Sequence, residues 1–306
     1  MLKRLIIPVL LVMLLGGCSS AEKTDKLRIV TTIFPAYDFA RQVFGDTAEI
    51  TLLLKPGTES HSYDPSARDI VKIDSCDLFI YNGGESDAWV ENMLRSVDVN
   101  ALRMMDAVEA LAEDNEGIAE TEHDEHNEDE EYDEHIWTSP KNAALIVESI
   151  RNAAVKLAPE NGELYESAAG EYIAEINALD EKFTELLSGE ERTFVFGDRF
   201  PLLYFFREYG LKYYAAFPGC GSETEPSAQT IAFLTEKLES DTVPTVFCIE
   251  LSNRKLAETL ADENGLPVAE FHTCHNITAD DFATESYVSL MERNYQMLKT
   301  ALTNGG

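Results

Sequence analysis

Leu164, Tyr172, Ile176, Leu179, Phe183, Leu186 and Leu187 recur at three- and four-residue spacing between Pro159 and Gly189. That period lines one face of an α-helix with apolar side chains. A helix filling most of 159–189 is about 40 Å long at 1.5 Å per residue, more than one small domain needs, so it predicts a strut between two bodies. On both sides of it, short β-rich runs alternate with helical stretches. Strands are expected at 27–33, 49–54 and 77–81, with helices at 36–44, 89–97 and from Pro140 to about Leu157. Beyond the strut, strands are expected at 192–196, 213–217, 245–249 and 267–271, with helices at 200–209, 226–239, 252–264 and 284–302. Such alternation argues for parallel sheets covered on both faces. The expected fold class is therefore α/β, two parallel-sheet lobes joined by a long rigid helix, with no internal sequence repeat.

The first residues have another character. Lys3 and Arg4 precede an apolar run from Leu5 to Leu15, then Gly16, Gly17 and Cys18. This is the layout of an export signal, and the run is shorter than the ~20 residues that a membrane-spanning helix requires. A cysteine directly after the small pair matches a bacterial lipoprotein signal, in which the thiol is lipidated. The reading is a signal peptide over 1–17, a tether over 18–26 with its membrane anchor on Cys18, an N-terminal lobe over 27–158, the linking helix over 159–189 and a C-terminal lobe over 190–306. The mature protein is expected outside the cytoplasm, attached to the membrane through lipid.

The formal charge is −32. Without a basic stripe to displace counterions from phosphates, nucleic acid is excluded as a partner. Between Ala112 and Glu134, thirteen of twenty-three residues are Asp or Glu and none is Lys or Arg. That composition cannot bury enough apolar surface to offset its ordering entropy, so an acidic loop is expected there. Cys76, Cys220, Cys248 and Cys274 follow Cys18 with no C-x-x-C spacing, which argues against a zinc ribbon or a thioredoxin-type motif.

Six histidines are present: His61, His123, His126, His135, His272 and His275. None falls inside a predicted strand. In α/β sheets, loops beyond the carboxyl ends of strands line the binding crevice, so His61 and His135 of one lobe can meet His272 and His275 of the other. Imidazole is a common zinc ligand, and solvent-exposed loop histidines are the plain alternative. His123 and His126, within the acidic loop, read either as a loose cation site or as part of a solvated charge run. His272-Thr-Cys-His275 is denser, and Cys274 adds either a thiolate donor or a buried structural thiol. The strings H-E-x-x-H, G-x-S-x-G and G-x-x-x-x-G-K-[ST] are absent, and no carboxylate pair stands out as an acid and base.

At these residues the chain resembles the metal-binding solute-binding lipoproteins of bacterial ABC importers, which collect zinc or manganese outside the cell. The resemblance rests on Val30-Thr-Thr-Ile-Phe-Pro-Ala-Tyr37, Lys55-Pro-Gly-Thr-Glu-Ser-His61-Ser-Tyr-Asp-Pro65, Asp77-Leu-Phe-Ile-Tyr-Asn-Gly83, His135-Ile-Trp-Thr-Ser-Pro-Lys-Asn142 and Glu223-Thr-Glu-Pro-Ser227. It implies a metal site in the cleft between the lobes, with His61 and His135 as ligands, zinc as the ion (manganese as alternative) and a membrane permease as partner. The family's third ligand position falls on Gly197, which has no side chain to offer. The resemblance maps the fourth onto 272–275, so His272 and His275 are both expected to coordinate, with Asp198 in reserve. A disulfide between Cys220 and Cys274 is a further expectation. The rival readings are a zinc hydrolase, which needs an open coordination position and a general base, and a surface adhesin.

Overall fold

The computed structural model describes residues 26–58, 63–108, 133–218 and 226–304. Cys18, His61, His123, His126, Cys220 and nearly all of the expected acidic loop lie outside these residues.

Two four-stranded sheets, parallel throughout, carry the fold. The first contains β1 (Leu27–Thr31), β2 (Ala48–Leu52), β3 (Leu78–Tyr81) and β4 (Ala101–Arg103) in the order β2-β1-β3-β4. The second contains β5 (Thr193–Phe200), β6 (Lys212–Pro218), β7 (Val246–Ile249) and β8 (Val268–Phe271) in the order β6-β5-β7-β8. The strand order is the same in both halves, although no sequence repeat announces it. Val30 pairs with Thr51 and Phe79, and Phe196 with Ala215 and Phe247.

The helices are α1 (Phe34–Phe44), α2 (Ala67–Asp74), α3 (Ala88–Leu94), α4 (Pro140–Leu157), α5 (Gly162–Leu187), α6 (Leu203–Glu208), α7 (Ala228–Ser240), α8 (Lys255–Asn264) and α9 (Tyr287–Asn304). Among the described residues no helix is long and apolar enough to cross a membrane. Helix α4 begins where the sequence places it, because the Ser139 hydroxyl accepts the Asn142 N–H at 3.2 Å and Pro140 occupies the first turn.

Helix α5 is the strut. Its buried stripe, Tyr165, Ala169, Tyr172, Ile176, Leu179, Phe183 and Leu187, follows the expected spacing from Tyr172 onward, whereas Leu164, expected on this face, is exposed and Tyr165 takes the buried place one residue later. All seven belong to one apolar core that also contains Ile29, Phe39 and Trp137 on one side and Phe196, Phe271 and Leu298 on the other. The two lobes therefore share a core. Smaller clusters cover the outer faces of the sheets, with Val30, Ile73, Phe79 and Val90 on the first and Val195, Leu234, Val246 and Leu260 on the second.

Two elements escape the sequence reading. Helix α2 is only 8 residues long, mostly polar and buries only Ile73, so it offers little apolar run to read, although its start is marked by the reciprocal Ser66 and Asp69 capping box. Strand β4 is a three-residue edge with no fully buried residue. Strand β5 is expected to stop at Phe196, yet it runs through Gly197 to Phe200 with a shift of register between Phe196 and Arg199.

One buried carboxylate joins the parts. Asp38 of α1, fully buried, accepts the Tyr172 hydroxyl of α5 at 2.6 Å, the Tyr287 N–H at the start of α9 at 2.8 Å, and the Arg41 guanidinium at 2.7 Å. Arg41 also donates to the Glu285 carbonyl. Replacing Asp38 by Ala strands a hydroxyl, a helix N-terminus and a guanidinium together, and is expected to cost about 3–5 kcal/mol in urea unfolding, with Asp38→Asn less harmful.

A second buried carboxylate shapes the loop after β3. Asp87 accepts the N–H groups of Asn82 at 2.8 Å and Gly83 at 3.1 Å. Burial raises its pKa from 3.8 to about 6, opposed by the Gly83 amide and assisted by the charge of Glu134. The folded state therefore holds this proton more tightly than the unfolded chain, so the contribution of Asp87 to stability is full below 3.8 and lost as pH rises through about 6. The urea midpoint of Asp87→Asn relative to the parent is expected to climb between pH 4 and pH 7, whereas a constant difference contradicts this account.

Candidate metal centre

His135 stands where the chain turns into α4, and it is 3 % exposed. The Asp133 carboxylate oxygen Oδ1 accepts both the His135 backbone N–H at 2.8 Å and its ring Nδ1 at 2.9 Å. Holding the ring proton on Nδ1 leaves the lone pair on Nε2, the carboxylate–histidine arrangement that orients metal ligands. The loop after β3 fastens the neighbouring residue. Asn82 Nδ2 donates to the Glu134 carbonyl at 2.8 Å, and the Ser86 N–H meets the Glu134 carboxylate at 3.0 Å. Gly84 permits this, since its φ of 82° suits glycine and a Cβ there would lie 2.6 Å from the Glu134 Cβ.

From the other lobe comes the loop directly after β8. His275 and His135 lie with ring centroids 5.2 Å apart, and the buried Trp137 touches both, at 5.4 Å from His135 and 5.0 Å from His275. The Trp137 indole N–H donates across the lobes to the Thr273 carbonyl at 2.9 Å. The Tyr204 hydroxyl of α6 reaches the Asp133 carbonyl at 3.0 Å. Further stitching runs from Gly57 N–H to the Ile277 carbonyl at 2.8 Å, and from Asn276 to the Thr58 carbonyl.

His272 is held differently. Asn294 of α9 clamps its backbone on both sides, at 2.8 and 2.7 Å. Its ring Nδ1 accepts the Cys274 N–H at 3.0 Å and lies 3.8 Å from Glu250 Oε1. Accepting at Nδ1 puts the proton of the neutral ring on Nε2. Among the described residues no three His, Cys, Asp or Glu side chains gather into a group able to hold a metal. They bring His135 and His275 together, while His61 lies outside the described residues.

The cysteine alternatives resolve toward structure. Cys274 is fully buried with a free thiol, and burial, with the charge of Glu250 adding, pushes its pKa well above the ordinary thiol value. It is a neutral core group, not a thiolate donor, and Cys220, its expected bridge partner, lies outside the described residues.

Gly197 cannot take a side chain. A Cβ there would stand 2.5 Å from Ala257 Cα and 2.7 Å from its nitrogen, because α8 packs directly on β5. That places any side chain at 197 against α8, on the face where Val195 meets Ala257 and Leu260. Asp198, the reserve donor, spends its carboxylate on backbone amides, Arg199 N–H at 2.9 Å and Ile249 N–H at 3.2 Å. Asp133 and Glu250 were not singled out from sequence. Asp133 is hidden within the acidic run. Glu250 was legible as the acidic residue directly beyond the apolar strand Val246–Ile249, at the end where crevices form. Substituting Gly197 by Ala is expected to destabilise the protein by about 1–3 kcal/mol through overpacking, read by thermal melting, and Gly197→His to do no better.

Comparison with known proteins agrees with this architecture. The profile of the family described as zinc-uptake complex component A, periplasmic (ZnuA), matches residues 29–301. The zinc-binding lipoprotein AdcA of Streptococcus pneumoniae is 33 % identical over 309 residues, which cover 99 % of this chain and 61 % of AdcA. The chain thus spans about three-fifths of that relative. The high-affinity zinc uptake system protein ZnuA of Bacillus subtilis is 32 % identical over 93 % of this chain and 90 % of its own. The crystal structure of the Zn(II)-bound ZnuA-like domain of Streptococcus pneumoniae AdcA superposes with a TM-score of 0.74 at 33 % identity, covering 90 % of this chain and 98 % of that one. With the match extending over nearly the whole described fold, the chain belongs to the ZnuA family of periplasmic zinc-uptake components.

Proposed function

We propose that this chain captures zinc outside the cytoplasm and delivers it to the membrane permease of an ABC importer, tethered by lipid on Cys18. The observation that supports it most is the His135–His275 pair, supplied by different lobes and buried in the cleft at 5.2 Å between ring centres. Two imidazoles bound at ~2.0–2.1 Å to one tetrahedral ion have ring centres about 5 Å apart. Family membership and the names of the relatives point to the same ion. Zinc is then the cargo of a binding component, not the cofactor of a hydrolase.

The donor set we propose is His61, His135 and His275, joined by His272. His61 is included because the segment leading to it is stitched to Asn276 and Ile277 beside His275. His272 joins by taking its ring proton onto Nδ1 in place of the Cys274 N–H contact, which returns the lone pair to Nε2. Nitrogen donors favour zinc over manganese.

Chelator competition on the purified protein is expected to show zinc bound at least a hundredfold more tightly than manganese. His135→Ala and His275→Ala should each lower zinc affinity by two orders of magnitude or more. Protons compete for imidazole nitrogens, so affinity should fall as pH drops below ~6.5. Manganese bound as tightly as zinc, or affinity flat into acid, overturns the reading.

A further inference from the structure

We infer that Glu250 is a positioning residue for the ion, acting through Thr273 on His275 and Trp137. The inference rests on the zinc-binding reading above and deepens it.

Glu250 follows β7 and is 8 % exposed, and its carboxylate is committed to one residue. Oε2 accepts the Thr273 N–H at 2.8 Å and Oε1 accepts the Thr273 hydroxyl at 2.5 Å. Such charge-assisted bonds are about twice as strong as neutral ones. Thr273 passes the constraint on in two directions. Its hydroxyl oxygen accepts the His275 N–H at 3.2 Å, and its carbonyl accepts the Trp137 indole N–H at 2.9 Å. A single carboxylate thus sets the backbone of one imidazole of the pair and, through Trp137, the ring that packs beside both.

The backbone on either side of this contact is strained. Leu251, next to Glu250, has φ 59°, and Cys274, next to Thr273, has φ 61°. Neither is glycine, and such conformations persist only where the surroundings over-determine them. Leu251 is half exposed and gains little from packing. The Glu250–Thr273 contact is what holds the two turns face to face.

Charge gives the arrangement a second effect. Among the described residues, the only basic group within 4 Å of the Glu250 carboxylate is His272 Nδ1 at 3.8 Å. A buried anion without a full counterion is costly, and a divalent cation between His135 and His275 offsets it. Glu250 therefore favours a cation in the cleft without touching it.

The test measures zinc affinity by chelator competition for the parent, Glu250→Gln, Glu250→Asp, Thr273→Val and the Glu250→Gln/Thr273→Val double variant, with circular dichroism as the check on folding. Loss of outer partners of metal ligands typically costs 10–100-fold. That loss is expected for Glu250→Gln and for Thr273→Val, no further loss in the double variant, and partial retention in Glu250→Asp. The d–d absorption of the cobalt-substituted protein should shift in both single variants, a readout that mere loss of stability does not move. Parent-like affinity and spectra in folded Glu250→Gln and Thr273→Val overturn the inference. If Glu250→Gln does not fold, Glu250→Asp and Thr273→Val decide by the same criterion. Absence of zinc binding by the parent itself instead defeats the zinc reading.

Discussion

Everything in this molecule leans on the apolar stripe of α5. Because Tyr165, Ile176, Phe183 and Leu187 lie in one core with side chains of both sheets, the strut is embedded in the lobes and does not merely span them. At about 25 cal/mol per Å² of apolar surface, this shared burial outweighs any single polar contact between the halves. Asp38 adds direction to that burial. It binds α1, α5 and the start of α9 at one point, so the relative setting of the two sheets is defined where the apolar core alone would allow sliding. The cleft inherits its geometry from that setting, and His135 and His275 meet because the bodies carrying them are fused at depth.

The parts of this plan written in local patterns were legible. The spacing from Tyr172 to Leu187, the Ser139-Pro140 helix start and the alternation of strands with helices each need only a few neighbouring residues to be read. What was not legible depends on contacts distant in sequence. Glycine at 197 looks like a strand end, and only distant contacts correct that: the approach of Ala257 excludes a side chain there, and pairing of Arg199 and Phe200 with β6 carries the strand on. His272 and His275 look equivalent in the string His-Thr-Cys-His, yet the Cys274 N–H occupies Nδ1 of one ring while Trp137 packs against the other. Cys274 itself could be read as donor or filler, and complete burial decides for filler.

The common strand order of the two sheets adds a point about the site. In each half the functional residues lie beyond the carboxyl ends of strands, where crevices form in sheets of this kind. Asn82 and Asp87 follow β3 and brace Glu134, next to His135, while Glu250 follows β7 and braces Thr273, between His272 and Cys274. Equivalent strands, β3 and β7, thus supply the supporting carboxylate on each side. The two halves solve the same mechanical problem with unrelated residues.

Fusion at depth also bears on how the chain comes apart. A boundary drawn through α5 separates two shapes but not two cooperative units, because neither half can be pulled away without exposing the flank of the other. Melting should thus pass through a single transition, and a fragment carrying one sheet would present a broad oily face prone to clumping. The lobes are divisions of architecture, and thermodynamically the protein is one piece.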